Sequence, residues 1–235
     1  MNTYIKLLLF SLSGVLLSLS TASGEDNWAV LFNGRNLDGW TERNQSGSFR
    51  VEDGTIIGTA QEGLGNTFLC TNENYADFEF EFETKLSEPG LNSGVQIRSA
   101  NREPVGKQTV GPVEGPQVEI IANHPERDTF SGNLYGEGWK GWLTPKEGRR
   151  QHNFMKDGQW NHFRVLARGD QVTTWINGNE VITTTIPAER HKTHASGFIG
   201  LQIHSIKDGT GPYEIAWRHI RIRRLKTVEA APQVK

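Results

Sequence analysis

The stretch Asp77-Phe-Glu-Phe-Glu-Phe-Glu-Thr-Lys85 alternates aromatic and charged side chains at a period of two. Successive side chains of a β-strand point to opposite faces, so the phenylalanines share one face and the charged residues share the other. This is the pattern of a half-buried strand whose aromatic face belongs to a core. Solvent exposure is the favoured interpretation for Glu79. Lys85 is predicted to border a binding site, because it is near Asn92 in sequence.

Strand-like runs of this kind recur along the chain, with turn residues between them and almost nothing that indicates a helix. Asp53-Gly54 and Asn177-Gly178 each join two such runs and predict tight hairpins, because both residue types tolerate a positive φ. About a dozen short strands separated by turns predict an all-β protein, either a sandwich or a barrel.

Two segments, 100–115 and 122–153, interrupt the strand pattern and are predicted to be loops. The second contains His124, Tyr135, Trp139 and Trp142, and disordered segments are poor in aromatic residues. Tyr135, Trp139 and Trp142 are therefore predicted to contact substrate, with local packing of the tryptophans within the loop as the alternative.

The N-terminus of the 235-residue chain has the organisation of an export signal. A short segment containing Lys6 precedes an apolar run at 7–19 and small residues at 20–24, and the run is shorter than the roughly 20 residues of a membrane span. The sequence predicts a signal peptide at 1–24, one domain at 25–226 and a loose tail at 227–235. We expect export to the bacterial periplasm or the extracellular space, with no stable membrane anchor after cleavage.

Composition excludes several classes of function. The net charge is −2, with basic and acidic residues interspersed, which gives no electrostatic footprint for nucleic acid. Cys70 is the single cysteine, so no intramolecular disulfide forms, and it is predicted to be a small buried side chain. No phosphate loop, dinucleotide fingerprint or Gly-x-Ser-x-Gly motif is present.

Three strands are predicted to carry polar side chains at matching parity. Alternation pairs Gln96 with Arg98, Gln117 with Glu119, and Gln202 with His204 on their respective strands. If these strands are neighbours in one sheet, the six side chains lie within a few strand spacings of about 4.8 Å. Such a cluster could bind, polarise and deprotonate a polar substrate.

His191 and His194 have an i, i+3 spacing that is compatible with a metal pair. No further ligand signature accompanies them, and a solvated loop is the favoured interpretation.

Several segments in order along the chain resemble the 3-keto-disaccharide hydrolase domain family. The resemblance implies a concanavalin A-like jelly-roll sandwich of two antiparallel sheets in an exported bacterial protein that acts on an oxidised disaccharide or glycoside. It also implies that the concave sheet carries Arg98, Gln117, Glu119 and His204. The segments are Leu31-Phe-Asn-Gly-Arg-Asn-Leu-Asp-Gly-Trp40, Asn92-Ser-Gly-Val-Gln-Ile-Arg98, Gly115-Pro-Gln-Val-Glu119, Ser131-Gly-Asn-Leu-Tyr-Gly136, Gln159-Trp-Asn-His-Phe163, Trp175-Ile-Asn-Gly178, Gly197-Phe-Ile-Gly-Leu-Gln-Ile-His204 and Trp217-Arg-His-Ile-Arg-Ile222.

A ketone at sugar carbon 3 acidifies the proton on carbon 2, so base-initiated elimination followed by water addition breaks the glycosidic bond. On this hypothesis Glu119 or His204 takes the proton, and Arg98 with Gln117 stabilises the enolate oxygen. No cofactor is predicted with certainty; a divalent metal ion held by Glu119 and His204 would be another way to stabilise the enolate. Two alternatives remain open at this stage, a non-catalytic carbohydrate-binding module and an ordinary glycoside hydrolase acting on unoxidised glycan.

Overall fold

The computed structural model describes residues 27–44, 48–89, 91–104, 106, 110–122, 130–139, 141–149 and 151–226. The predicted signal peptide, the predicted tail and His124 lie outside these ranges. The described residues form two antiparallel sheets with very little helix, which confirms the predicted all-β sandwich. None of the helices in this part of the chain has the length and apolar character needed to cross a membrane.

The described ranges contain fifteen strands, one short α-helix and one 3₁₀ turn. Their bounds are β1 Ala29–Val30, β2 Trp40–Arg43, β3 Phe49–Glu52, β4 Thr55–Ala60, β5 Thr67–Thr71, β6 Phe78–Leu86, β7 Asn92–Asn101, β8 Val113–Ile121, β9 Leu134–Glu137, β10 Gly141–Trp142, the 3₁₀ turn Lys146–Gly148, β11 Asn161–Arg168, β12 Gln171–Ile176, β13 Asn179–Thr185, α1 Ala188–Thr193, β14 Phe198–Ile203 and β15 Tyr213–Arg224.

The two sheets have different strand orders. The first sheet runs β13-β12-β11-β6-β15-β4-β3, with β1 paired to β15 beside this path. The second sheet runs β10-β9-β8-β7-β14-β5-β2. The chain passes between the two sheets at several points, among them the connections from β6 to β7 and from β14 to β15.

The aromatic face of β6 lies in the core between the sheets, as its alternation predicts. Phe78, Phe80 and Phe82 are fully buried, and Phe82 stacks on Phe163 of β11 at a ring separation of 5.1 Å. Burying each phenyl ring contributes about 2–3 kcal/mol relative to leaving it in water. The period-two pattern therefore fixes which side of the first sheet faces the second.

Both predicted hairpin turns are present. Asp53 and Gly54 have φ values of 47° and 72°, and Asn177 and Gly178 have values of 50° and 81°. Two consecutive residues with positive φ form the turn whose twist matches that of the flanking strands.

The opposite face of β6 carries a series of ion pairs. Glu79 contacts Arg164 and Arg223, which leave only 7% of its side chain exposed. The expectation of a solvated Glu79 is therefore wrong, because long arginine side chains on both neighbouring strands cover it. Lys85 stands on this same face, 5.4 Å from the ring of Trp160. The prediction that Lys85 borders the site is wrong, since β6 belongs to the first sheet and Lys85 points away from the second.

Arg98 departs from the predicted alternation. Its φ of 47° and a register shift between Gln96 and Ala100 mark a β-bulge in β7. A bulge inserts one extra residue into a strand and so reverses the parity of the residues beyond it. The prediction that Arg98 shares the face of Gln96 is therefore wrong.

The guanidinium group of Arg98 instead joins the two sheets. It is fully buried, and donates from Nε to the Ala76 carbonyl at 2.6 Å, from Nη1 to the Gly169 carbonyl at 2.5 Å and from Nη2 to Asp77 Oδ1 at 3.0 Å. Ala76 and Asp77 precede β6, and Gly169 lies in the turn between β11 and β12. These three hydrogen bonds hold the Arg98 guanidinium against residues that flank strands of the first sheet.

Beyond the bulge, the end of the β7–β8 hairpin crosses over the outer face of the second sheet. Arg43 of β2 donates to Asn101 Oδ1 of β7 at 2.5 Å, although β14 and β5 separate these strands in the sheet. A small apolar cluster, separate from the main core, fills the space beneath the hairpin. It consists of Phe68, Cys70, Val113 and Phe198.

We predict that Arg98→Lys lowers the free energy of unfolding by about 2–4 kcal/mol. One ammonium group cannot reproduce the planar fork that reaches two carbonyls and a carboxylate, so buried acceptors lose their partners. Urea denaturation measures the change. Arg50→Lys is the control, because the Arg50 side chain is 44% exposed and its replacement should change stability by less than about 1 kcal/mol. Equal stability of the two variants would contradict the linking role of Arg98.

Candidate active site on the second sheet

Four polar side chains from adjacent strands converge on the outer face of the second sheet. Gln96 of β7 lies opposite Gln117 of β8, and Gly94 of β7 lies opposite both Glu119 of β8 and Gln202 of β14. We call the side chains of Gln96, Gln117, Glu119 and Gln202 the amide cluster. Each is 5% exposed or less. The structure thus brings together four of the predicted site residues.

A chain of hydrogen bonds in the amide cluster leads to Glu119 and Gln202. Ser99 Oγ donates to Gln96 Oε1 at 2.7 Å, and Gln96 Nε2 donates to Gln117 Oε1 at 2.5 Å. Gln117 Nε2 then donates to Glu119 Oε1 at 2.9 Å and to Gln202 Oε1 at 3.2 Å. Linked donors polarise one another in a low-dielectric interior. The chain of amides holds Glu119 through Oε1.

A glycine makes room for this arrangement. A Cβ atom at Gly94 would lie 2.5 Å from Gln117 Cδ, well inside van der Waals contact. The absence of a side chain lets the Gln117 amide extend over β7 and reach Gln202 on the far side. Close approach, rather than an unusual φ, is the reason for glycine at this position.

Burial raises the pKa of Glu119 to about 8. The hydrogen bond from Gln117 favours the ionised form and opposes this shift, while the charge of Glu137 adds to it. Desolvation disfavours the ionised carboxylate, and a single hydrogen bond from an amide does not compensate for the hydration that is lost. Glu119 therefore exchanges its proton close to neutral pH, where a carboxyl group works well as a general base or acid.

Gln202 has an unused donor. Its Nε2 is buried and has no hydrogen-bond partner within the described ranges, while its Oε1 accepts from Gln117. An unpaired buried amide N–H costs about 1–3 kcal/mol. A ligand oxygen beside Glu119 would supply the missing acceptor.

Glu137 is a site residue that the sequence patterns do not single out. It lies on β9, where burial raises its pKa, while a hydrogen bond to Asn66 and the positive charges of His204 and Arg102 oppose that shift. The segment Leu134-Tyr-Gly-Glu137 alternates as a strand does, and this signal is hidden within 122–153, whose composition predicts a loop.

Tyr135 joins the site through the same strand. It lies opposite Gln117, and burial raises its pKa, as do the charges of Glu137 and Glu119. Trp142 of β10 lies opposite Tyr135 and contacts it edge to face at 5.6 Å. The structure therefore places Tyr135 beside the amide cluster and Trp142 beside Tyr135.

Trp139 points elsewhere. It contacts His194 edge to face at 4.8 Å and the Arg190 guanidinium at 4.9 Å, and so packs the 134–142 hairpin against α1. His194 is only 5% exposed, so the interpretation of a solvated loop is wrong for that histidine. Of the two interpretations of Trp139, local packing is the one that its contacts support.

His204 follows β14 and is partly exposed. Its Nδ1 lies 2.7 Å from the Ser205 carbonyl oxygen, which can only accept, so Nδ1 carries the proton and Nε2 is the basic nitrogen. His204 lines a cavity of about 500 Å³ together with Asn92, which is two residues from Gly94 on β7. The charge of His204 acts on Glu137, where it opposes the rise in the pKa.

The site offers little to a metal ion. Among the described residues, no group of three or more His, Cys, Asp or Glu side chains is arranged to hold one. The amide cluster supplies three neutral amides and one carboxyl group. This donor set fits an organic ligand with oxygen atoms better than a divalent cation.

Solved structures of other proteins are similar to this fold. At 24% identity, one "putative glycosyl hydrolase" from Parabacteroides distasonis ATCC 8503 matches over 84% of this chain and 99% of its own, with a TM-score of 0.56. A second one from that organism matches at 22% identity over 85% and 94%, with a TM-score of 0.57. A Bacillus subtilis protein of unknown function with a galectin-like fold matches at 12% identity over 84% and 94%, with a TM-score of 0.56. These likenesses establish the sandwich fold.

No curated protein matches the sequence. A family model does match it, over residues 27–223, and its description is the 3-keto-alpha-glucoside-1,2-lyase-like domain. This match covers most of the chain and confirms the family resemblance inferred from the ordered motifs. The chain therefore belongs to the carbohydrate-active family of 3-keto-alpha-glucoside-1,2-lyase-like domains.

Proposed function

We propose that this protein cleaves the glycosidic bond of 3-keto-glycosides by proton abstraction, elimination and hydration, with Glu119 as the base. The supporting observation is the buried Glu119 carboxyl, whose pKa of about 8 suits proton transfer near neutral pH. The substrate is an oxidised disaccharide or glycoside. We further propose that the enzyme works after export, as the N-terminal pattern predicts.

The reaction balances without a cofactor. The carboxylate takes the proton from carbon 2, and the electron pair of that C–H bond passes into the enolate of the 3-ketone. As the enolate collapses, a C1–C2 double bond forms, the C1–O bond breaks, and its electron pair leaves with the glycosidic oxygen, which gains a proton. Water then adds across this double bond, with its hydroxyl group going to carbon 1 and a proton to carbon 2. The protein must supply a base, a hydrogen bond to the enolate oxygen and a proton for the leaving group.

Three residues take these roles. Glu119 Oε2 is the base, since Oε1 accepts from Gln117. The unpartnered Gln202 Nε2 donates to the enolate oxygen, in place of Arg98. His204 is the other candidate base, but it lines a neighbouring cavity, and we propose that the leaving group emerges there. A ring protonated on both nitrogens then delivers the proton to the glycosidic oxygen from Nε2, because Nδ1 donates to the Ser205 carbonyl oxygen.

A second candidate is an ordinary glycoside hydrolase. It is favoured by the proximity of Glu137 to Glu119, because the charge of one raises the pKa of the other. Glycosidases that act on unoxidised sugars use such a carboxylate pair. Turnover of a plain glucoside by the wild-type protein would select this candidate, and binding without turnover of any sugar would indicate a carbohydrate-binding module.

Glu119→Gln should abolish cleavage of a 3-keto-glucoside, lowering kcat by at least about 100-fold, because general-base catalysis typically contributes that much. The amide keeps the size of the side chain and a carbonyl oxygen for Gln117. Release of the aglycone from the 3-keto-glucoside and from the unoxidised glucoside measures the effect. Glu52→Gln, at a side chain that is 60% exposed on the first sheet, is the control and should retain full activity. Full activity of Glu119→Gln would remove Glu119 from the mechanism.

The pH dependence of kcat/KM follows from the same carboxyl group. Because only ionised Glu119 accepts a proton, we expect kcat/KM to rise about tenfold per pH unit below the pKa of about 8 and to level above it. Initial rates over a pH range from about two units below this pKa to about one unit above it measure this profile. A profile already flat well below the pKa would be incompatible with Glu119 as the base.

Stability should also depend on Glu119. Its pKa is about 8 in the folded protein and has its ordinary value of 4.5 in the unfolded chain, so the folded state binds a proton more tightly. This contribution to stability is fully present below pH 4.5, declines as pH rises and is lost above pH 8, a total on the order of 5 kcal/mol. Glu119→Gln avoids the loss, so its advantage in Tm over wild type should grow from about pH 5 to about pH 8. A constant difference in Tm would contradict the raised pKa.

A further inference from the structure

Arg149 is an arginine without an anionic partner beside the candidate active site. Its guanidinium carbon lies 5.0 Å from the centre of the Trp142 ring and 5.6 Å from that of the Phe130 ring. Its Nε is buried, and among the described residues neither a hydrogen-bond acceptor nor a carboxylate pairs with its side chain. The side chain thus carries a cation whose hydrogen-bond donors are unused.

Arginines that stack on tryptophans of the first sheet do have anionic partners. Arg164 lies 4.2 Å from the Trp175 ring and pairs with Glu79, and Arg218 stacks in the same way and pairs with Glu83. An aromatic ring covers the face of each guanidinium, and a carboxylate occupies its edge. At the candidate active site the rings are present and the carboxylate is missing.

The backbone fixes the position of this cation. Arg149 ends the 3₁₀ turn, and its backbone N–H donates to the carbonyls of Pro145 at 3.1 Å and Lys146 at 3.3 Å. The Phe130 and Trp142 rings contact each other edge to face at 5.5 Å. A planar guanidinium held in this way is oriented in advance to bind a carboxylate or a sulfate through two parallel N–H groups.

A row of cross-strand partners connects the cation to the amide cluster. Gln117 of β8 lies opposite Tyr135 of β9, which lies opposite Trp142 of β10. Leu134 belongs to the core and Leu143 packs against it, so the two aromatic residues beside them face outward. Neighbouring strands are about 4.8 Å apart, which places Trp142 roughly 10 Å from Gln117. One sugar residue with a hydrogen bond at each end spans such a distance.

The nearby carboxyl groups oppose an anionic ligand only weakly. Burial raises the pKa of both Glu119 and Glu137, so each carries less negative charge near neutral pH than an exposed glutamate does. Glu147 of the 3₁₀ turn is exposed, where water and salt screen its charge. The guanidinium of Arg149 keeps its full charge. The electrostatic balance at this edge of the site therefore favours an anionic group.

We propose that Arg149 binds an anionic group, a carboxylate or a sulfate ester, on the sugar whose ring lies beside Glu119, which makes the protein selective for acidic sugars over neutral ones. The proposal rests on the proposed function for the position of that ring. The anionic group completes at Arg149 the arrangement that the first sheet already contains, an arginine with an aromatic ring on its face and an oxyanion at its edge.

Arg149→Gln tests this assignment, because it removes the charge and leaves a polar side chain. Calorimetric titrations with methyl glucoside, methyl glucuronide and methyl glucoside 6-sulfate compare a neutral group, a carboxylate and a sulfate on the same ring. We expect the wild type to bind at least one acidic sugar about tenfold more tightly than methyl glucoside, and Arg149→Gln to reduce this preference to about twofold or less. The acidic sugar with the larger preference identifies the anionic group.

Arg190→Gln is the matched control. Arg190 lies 4.9 Å from the Trp139 ring, so it stacks on a tryptophan as Arg149 does, but Trp139 packs against His194 and not towards the amide cluster. This variant should keep the wild-type preference. The affinity of Arg149→Gln for methyl glucoside should stay within about twofold of the wild-type value, because the neutral sugar has no anionic group to lose.

The titrations require no chemistry and therefore separate this proposal from the proposed function. If the wild type cleaves no keto sugar but Arg149→Gln still loses the preference for an acidic sugar, the assignment of Arg149 stands and the proposed reaction fails. Equal affinity of the wild type for all three sugars, or an undiminished preference in Arg149→Gln, would overturn the assignment.

Discussion

The bulge at Arg98 is the constraint on which the site depends. A non-glycine residue with positive φ costs of order 1 kcal/mol or more, and here three hydrogen bonds from a fully buried guanidinium to the first sheet compensate for it. The bulge shifts the register of β7 against β8 between Gln96 and Ala100. The end of their hairpin then crosses the second sheet as far as β2. The outer face of that sheet carries the amide cluster, whose side chains are each 5% exposed or less.

Burial of that face determines its chemistry. Glutamine amides can satisfy one another in a dry environment without net charge, whereas the single carboxyl group among them cannot ionise cheaply. Gln117 uses both of its N–H bonds, one on Glu119 and one on Gln202. The resulting site has a proton acceptor tuned to neutral pH beside a free amide donor, and elimination next to a ketone requires those two groups.

The two sheets use glutamate in opposite ways. Burial alone would raise the pKa of Glu79 on the first sheet, but hydrogen bonds from Arg223 and Arg164 outweigh it and lower that pKa. Glu119 on the second sheet has no arginine partner among the described residues, and its pKa rises. The same residue type thus has a lowered pKa on one sheet and a raised pKa on the other. The difference lies in the residues on the neighbouring strands.

Local patterns in the sequence were sufficient for the all-β class, the core face of β6, the turns at Asp53-Gly54 and Asn177-Gly178, and the shared face of Gln117 and Glu119, because side-chain alternation and turn preferences act over a few residues. The order of the motifs along the chain was sufficient to identify the family. The tertiary structure alone decided where Arg98 and Lys85 point, that Glu137 lies near Glu119, and that the amide cluster is buried. A bulge reverses parity without a signature in the sequence, and which sheet a strand joins depends on pairings between residues far apart in the chain. For that reason the sequence indicated which groups could react, while the packing of distant strands determined which of them meet.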